Sequence, residues 1–385
     1  MTHEAIIIGG GIGGLAAAVA LRQAGIEVTV YERAPVLGRV GAGLSLWNNA
    51  LYALQRLGLA EAVIGASAVI QRTEIRTQRG GLLARSLPEK LEQRMGLPTV
   101  GIHRAALQYA LLHALPEGVV QLGKTFERFE QDPRGVTAIF SDGDHARAEL
   151  LVGADGINSL VRQQLFPALS LRYAGYTAWR GIAPTRGDLQ AGVAVEGWGC
   201  GQRFGLLRVN RMEIYWFAVE NAPPGQILAP EERKAALMQR FGGWADPATH
   251  LIELTPQDAI LQNDIYDFAP LAAWGSGRVV LLGDAAHATT PNMGQGAGQA
   301  LESAVVLGDC LAQQADDPAA AFARYQGLRQ VRTDWITRQS RRIGAMAQAS
   351  NPLLCWLRDA LVRLAPAAGS AILERAAGYK VGDGE

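Results

Sequence analysis

Three stretches of this chain carry residue types that could do chemistry at informative spacings. Near the N-terminus, "GGGIGG" sets Gly9, Gly11 and Gly14 in the order G-x-G-x-x-G. The first glycine of that pattern permits a tight turn, the second lets backbone approach a pyrophosphate, and the third lets helix and strand close together. A helix opening there meets an anion with unpaired N–H groups and a partial positive charge. Glu32, with Arg33 beside it, stands about 20 residues on, where an acid accepts hydrogen bonds from a ribose diol. "GADGINSLVR" (153–162) places Asp155 in a second turn, and "GDAAHATTPNMGQGAG" (283–298) forms a third. The last holds Asp284, His287, Pro291, Gly294, Gly296 and Ala297, and it reads as a ligand-cradling loop that opens a helix.

These turns need strands before them and helices after them. "EAIII" (4–8) is a short apolar run suited to a buried parallel strand, "LAAAVALRQAG" a helix ending at Gly25, and "IEVTVYER" a second strand closing on Glu32. This is a βαβ start. Residues 48–59 read as a helix, 69–87 as strand-like, and 103–115 as an amphipathic helix. "GVVQL", "VTAIF" and "AELLVGADG" follow as strands, separated by the turn signals "DPRG" and "SDGD". From 171 to 269 helical periodicity weakens, and alternating runs such as "RMEIYWFAVE" suggest an antiparallel sheet. "GRVVLLGDAAH" returns to a buried strand, and the last hundred residues are mostly helical.

The expected fold class is therefore α/β. A Rossmann-like nucleotide-binding domain, discontinuous over 1–73, 100–170 and 270–345, is interrupted by a β-sheet substrate domain at 74–99 and 171–269. A C-terminal helical segment spans 346–385.

The 385 residues balance 36 basic against 36 acidic side chains. A nucleic-acid binder would show a basic excess. Cys200, Cys310 and Cys355 lack metal-ligand or CxxC spacing and read as unpaired thiols of a reducing compartment. No signal peptide and no long uncharged apolar run is evident, so no membrane span and a cytoplasmic location are expected. The amphipathic stretch "NPLLCWLRDALVRLAP" could dimerise or touch a membrane, with packing on the first domain as the default.

The three turns, in this order and spacing, resemble those of the single-component FAD-dependent aromatic hydroxylases. That group includes salicylate hydroxylase, 3-hydroxybenzoate 6-hydroxylase, FAD-dependent urate hydroxylase and zeaxanthin epoxidase-like enzymes. The resemblance covers nearly the whole chain. It implies a monooxygenase that uses FAD, NADH or NADPH, and O2 to hydroxylate a small aromatic or heteroaromatic ring through a flavin hydroperoxide. It further implies a monomer or homodimer with no nucleic-acid partner and no metal. FAD is long, which accounts for two distant glycine loops.

By resemblance, the first loop takes the ADP half, with Arg104 and Asp284 near the pyrophosphate and ribityl chain. Pro291, Gly294, Gly296 and Ala297 turn beneath the flavin ring, and a helix starting near Gly296 points its positive end at the ring's N1–C2=O edge. Asp155 either ties cofactor binding to the fold or caps the next helix. His287 reads as structural. Arg203 in "GQRFGLL" and Tyr215 in "MEIYWFA" match segments carrying a substrate-binding Arg and Tyr, against the alternative of packing residues on a β-face. Alternation puts Arg203 and Gly205 on one face, where the glycine would leave space for a ring. Trp179 and Arg180 are structural or near the flavin. Gly298, Ser303 and Arg39 depart from the group's pattern. The rival readings are an epoxidase, a halogenase or another oxidoreductase on the same fold, and a non-catalytic flavin-binding protein.

Overall fold

The computed structural model of the chain describes residues 3–38, 42–185, 190–314 and 316–382. Arg39 lies outside the described residues. The β-branched run Ile6–Ile8 is almost fully buried, as a strand flanked on both sides must be. Its strand, Glu4–Ile8, pairs in parallel with Glu27–Glu32 on one side and with Leu150–Gly153 on the other. Val279–Leu281 extends the sheet in parallel beside Leu150–Gly153. Val120–Leu122 and the short antiparallel Gly275–Ser276 close the two edges of six strands. A segment from beyond residue 275 thus completes a sheet begun at residue 4. The helices Ile12–Gln23 and Gly296–Gln313 pack on each other over this sheet.

The second sheet has seven strands in the order Leu261–Asp267, Arg172–Pro184, Glu213–Asn221, Gln202–Arg208, Val193–Trp198, Arg72–Thr77 and Leu82–Ser86. All neighbours are antiparallel except the pair Val193–Trp198 and Arg72–Thr77. One face carries Trp179, Phe204 and Trp216 against Leu237, Phe241 and Leu251. Those last three come from two helices, Pro230–Phe241 and Ala248–Leu254. Both lie in the stretch whose helical periodicity looks weak, because their amphipathic pattern is short and each shows the sheet only a narrow stripe. By alternation the other face carries Tyr176, Arg203, Leu207, Tyr215 and Phe217.

Three helices follow: Pro318–Ala347, Pro352–Leu364 and Pro366–Ala377. Proline at the first helical position and Asn351 accepting from Leu353 N (2.9 Å) and Leu354 N (3.3 Å) start the second of them. It folds back so that Arg358 donates to Gly199 O (3.0 Å) and Ala347 O (2.9 Å). This corrects the expectation of scattered thiols. Cys200 and Cys355, 155 positions apart, come together with Cα atoms 5.9 Å apart, a disulfide-bonding separation. Cys310 is buried in the Gly296–Gln313 helix. Among the described residues, no helix is long and apolar enough to cross a membrane, and no His, Cys, Asp and Glu cluster could hold a metal.

Candidate functional site

The first glycine loop is shaped by what a side chain would strike. Gly9 adopts φ +109°, and a Cβ there would lie 2.5 Å from Ala154 O. A Cβ on Gly14 would lie 1.9 Å from Gly9 O, which no backbone can accommodate. Around Gly11 nothing lies within 4 Å, so its outer side is open. Gly11 starts the Ile12–Gln23 helix without a side-chain cap, leaving the first-turn N–H groups facing that opening. Glu32 closes the loop from the neighbouring strand. Its carboxylate accepts from Gly10 N (2.7 Å) and Ala34 N (2.9 Å). Arg33 is exposed beside it. Sequence reasoning missed Gln108, which donates to Gly10 O (2.7 Å) and draws the Arg104–His113 helix onto the loop.

The turns at 155 and 284 meet through a second residue the motifs did not flag. Arg162 is 3 % exposed. It donates to Ala285 O (3.3 Å) and Ile157 O, and its guanidinium lies 4.6 Å over the Phe268 ring. Burial lowers its pKa, against the pull of Asp155 and Asp284. Asp155 Oδ2 accepts from Leu160 N (2.8 Å) and Val161 N (3.2 Å), so this oxygen caps the Leu160–Leu165 helix. Its Oδ1 is buried and has no partner. Burial raises this pKa, opposed by a hydrogen bond to Ser159 and by the backbone N–H groups. Asp284 opens to solvent on one side and is enclosed on the others. That enclosure lifts its pKa above the usual carboxylate range, against the opposing charges of Arg104 and Arg162.

The third loop is tied from behind. Pro291–Met293 form one 3-10 turn, Gly294 takes φ +60°, and a Cβ there would sit 2.6 Å from Ser45 Oγ and 3.1 Å from Trp47 Nε1. Trp47 Nε1 is itself buried without a partner. The helix then starts at Gly296 and Ala297, again with no side-chain cap. Gln295 is held by Asn49 Nδ2 (3.0 Å) and Gln299 Nε2 (3.1 Å). Beneath it, Glu302 and Arg329, both 0 % exposed, pair at 2.6 Å, and Arg332 joins them at 2.8 Å. Burial alone would raise the Glu302 pKa, but Arg329 and Arg332 outweigh it and hold the carboxyl at about 2. Burial, assisted by Arg329, pushes His287 down to about 3. His287 is therefore neutral, bonded to Ser303 Oγ at 2.9 Å and packed beside Trp274.

On the facing sheet, Arg203 is 3 % exposed and already engaged. It pairs with Glu196 (3.1 Å) and donates to Asn292 Oδ1 (2.7 Å) and Gln348 Oε1 (2.8 Å). Asn292 is a further residue the motifs did not single out. It ties the Pro291 turn to the sheet through Arg203 and Tyr176 and to the long helix through Ser340 O (2.9 Å). The expected space beside Gly205 is not there, because a Cβ at that position would meet the Phe217 ring at 2.1 Å. The glycine makes room for the protein's own aromatic ring. Tyr215 is 8 % exposed and packs with Leu207 and Val209. Burial raises its pKa, opposed by Arg180, which also hydrogen-bonds it. Trp179 is fully buried on the sheet's other face. A cleft lined by Arg72, Arg76, Phe204 and Trp244 also lies on that other face, away from the glycine loops.

Two uncapped helix starts, an acid closing the first glycine loop and an enclosed carboxylate–arginine group, set on a parallel sheet and covered by an antiparallel one, define a dinucleotide-dependent oxidoreductase. The chain belongs to the FAD binding domain family, which matches residues 2–191 and 215–334. It is 44% identical over 359 residues to aurachin C monooxygenase/isomerase of Stigmatella aurantiaca, covering 93% of both chains. It is 35% identical to 2-heptyl-3-hydroxy-4(1H)-quinolone synthase of Pseudomonas aeruginosa, covering 94% of both. Among solved structures, Klebsiella pneumoniae HpxO complexed with FAD and uric acid superposes with a TM-score of 0.91 at 32% identity. That match covers 99% of this chain and 98% of the other. The cofactor is FAD, and the protein is an FAD-dependent monooxygenase of the aromatic-hydroxylase type. The open side of Gly11, the uncapped helix starts and the orphaned Asp155 Oδ1 fit that cofactor.

Proposed function

We propose that the enzyme hydroxylates an uncharged, enolisable nitrogen heteroaromatic ring carrying an alkyl chain, of the 4-quinolone type, with NAD(P)H and O2 as co-substrates. It works in the cytoplasm as a monomer or homodimer. The observation that carries this reading is the Arg203–Glu196 pair. The buried cation on the candidate substrate face brings its own carboxylate. A benzoate or other anionic ring would find that charge already balanced, whereas a neutral ring loses nothing. Arg203 has five N–H bonds, and three serve Gln348, Glu196 and Asn292. The remaining two suit a ring oxygen. The names of the aurachin C and quinolone relatives point to the same class.

The residues divide the work. The backbone at Gly9, Gly11 and Gly14 surrounds the pyrophosphate, and Glu32 holds the adenosine ribose. Arg104 and Asp284 address the ribityl–diphosphate stretch, and Asp155 offers its unpartnered oxygen nearby. Gly294, Gly296 and Ala297 present backbone N–H groups to the edge of the flavin ring, where a helix start stabilises negative charge. FAD, when bound, would supply the redox chemistry between NAD(P)H and O2. Tyr215, kept protonated by burial, donates to a ring oxygen. Arg203 orients the ring, and Pro291 shapes the wall opposite. Phe217, Leu207 and Tyr215 exclude water from the reacting carbon.

The test is ligand-stimulated NAD(P)H oxidation under 18O2 with a 2-alkyl-4-quinolone, salicylate and urate in parallel. The quinolone should accelerate oxidation and carry one labelled oxygen in its product. Acceleration and labelling by salicylate or urate, with none by the quinolone, would reject the assignment.

A further inference from the structure

The helix Pro352–Leu364 turns its apolar side outward. Leu353 is 70% exposed, Leu354 55%, Trp356 67%, Leu357 46%, Leu361 57% and Leu364 83%. At about 100° per residue these six fill one continuous arc of about 160°. The opposite side is packed. Cys355 and Arg358 are each 4% exposed, and Val362 joins Leu83, Trp198 and Ala347. The helix is thus clamped by a cysteine, a valine and an arginine while its leucines and tryptophan face water. A surface helix ordinarily does the reverse, and a contiguous apolar patch of this kind marks an interaction site.

We propose that this face docks on a lipid bilayer carrying anionic headgroups. The one acid in the helix, Asp359, is paired to Arg358 at 2.8 Å. Arg363 is exposed and follows the arc next to Trp356 on the helix circumference, and Arg342 is exposed near the end of the preceding helix. Neither has an ion-pair partner among the described residues. A tryptophan at the edge of a leucine face, bordered by arginine, suits the boundary between headgroups and acyl chains. A second copy of the chain suits it less, because the helix's one acid is already paired to Arg358 and the exposed Arg363 beside the face would find no carboxylate on the same face of a partner, whereas anionic headgroups would meet it. The helix root also touches the substrate side: Gln348 accepts from Arg203 (2.8 Å), and Arg358 holds Gly199 just before the Arg203 strand. A lipid-soluble substrate would therefore arrive beside the sheet without crossing bulk water. The docking goes beyond the quinolone assignment and does not depend on it.

The experiment is flotation of the FAD-loaded enzyme, without substrate, on phosphatidylcholine vesicles with and without phosphatidylglycerol. The wild-type chain should float with the phosphatidylglycerol vesicles and less with the neutral ones. Leu353→Ser/Trp356→Ser/Leu357→Ser should weaken binding on the order of a hundredfold, with FAD content and melting temperature unchanged. No flotation of the wild type, or equal flotation of the variant, overturns the proposal. So does a wild-type dimer in sedimentation velocity that the variant dissolves while neither binds vesicles. If the variant does not fold, brominated acyl chains should quench wild-type tryptophan emission, and absence of quenching also overturns the proposal.

Discussion

The glycine loops and the antiparallel sheet that faces them are built from different materials. Around the loop at Gly9–Gly14 the determining atoms are backbone: a carbonyl 1.9 Å from where the Gly14 Cβ would be, and uncapped N–H groups at a helix start. On the facing sheet the determining atoms are side chains drawn from distant segments. Arg203 is held by Glu196, Asn292 and Gln348, which reach it from the neighbouring strand, the Pro291 turn and the end of the long helix. A backbone site tolerates no added atom, whereas a side-chain network can be retuned one partner at a time. If the loops hold the cofactor and the sheet the substrate, variants at the loops should fail at folding or FAD retention, and variants on the facing sheet should fail at specificity.

The sharpest break should come from Gly14→Val. Its Cβ cannot coexist with Gly9 O, and we expect a loss above about 3 kcal/mol and colourless protein. An FAD-replete variant with a wild-type melting temperature would show that the loop is less rigid than its contacts imply.

Next is Glu302→Ala, which strands Arg329 and Arg332 beneath the third loop. Leaving a buried charge unpaired costs about 3–5 kcal/mol, readable in urea denaturation. The same group sets an acid limit. Its folded pKa of about 2 lies below the ordinary glutamate value of 4.5, so its contribution is complete above pH 4.5 and is lost as pH falls through 2. His287 adds to this from higher pH. Held neutral with a pKa of about 3 against 6.5, it costs stability as pH falls from 6.5 toward 3. Stability should therefore decline steadily from about pH 6.5 downward. The alanine variant should lose the part below pH 4.5, and an unchanged acid limb would remove Glu302 as its source.

Glu32→Ala sits at the boundary of the comparison, being a side chain that serves the backbone loop. It should weaken FAD binding by about 1–3 kcal/mol with little loss of fold, as fluorescence titration would report. Unaltered affinity would restrict Glu32 to bracing Gly10 and Ala34. The smallest effect on the cofactor belongs to Arg203→Ala. FAD content should stay as in wild type, while KM for the ring rises about tenfold and peroxide replaces product. Arg203→Lys should restore little, because three acceptors in different directions match a planar fork and not an ammonium. Normal coupling in both variants would confine Arg203 to packing.

The same contrast explains what could be read from the sequence. G-x-G-x-x-G, the acid at Glu32 and the turns at Asp155 and Asp284 are local patterns, and local geometry follows from them. The βαβ start and the later return to a buried parallel strand were legible for the same reason. Gln348 and Glu196 carry no local signature, and Asn292 and Arg162 stand inside the quoted turns with nothing in the pattern that marks their role. Their significance comes from contacts 7 to 145 positions away. Gly205 shows the limit most plainly, since alternation located its face correctly but could not reveal that Phe217 fills it. The thiols of Cys200 and Cys355 meet only because a C-terminal helix returns to a strand turn.

The placement of Val279–Leu281 beside Leu150–Gly153 has a consequence for biosynthesis. While the ribosome is still making the inserted sheet, the strand ending at Gly153 keeps an unpaired apolar edge. At about 5–20 residues per second, that edge waits on the order of ten seconds for its partner to emerge. Until then the nascent chain offers a template for wrong pairing, and only the first of the two glycine loops has formed. Chains truncated before residue 279 should appear as chaperone clients or inclusion bodies rather than as smaller flavoproteins.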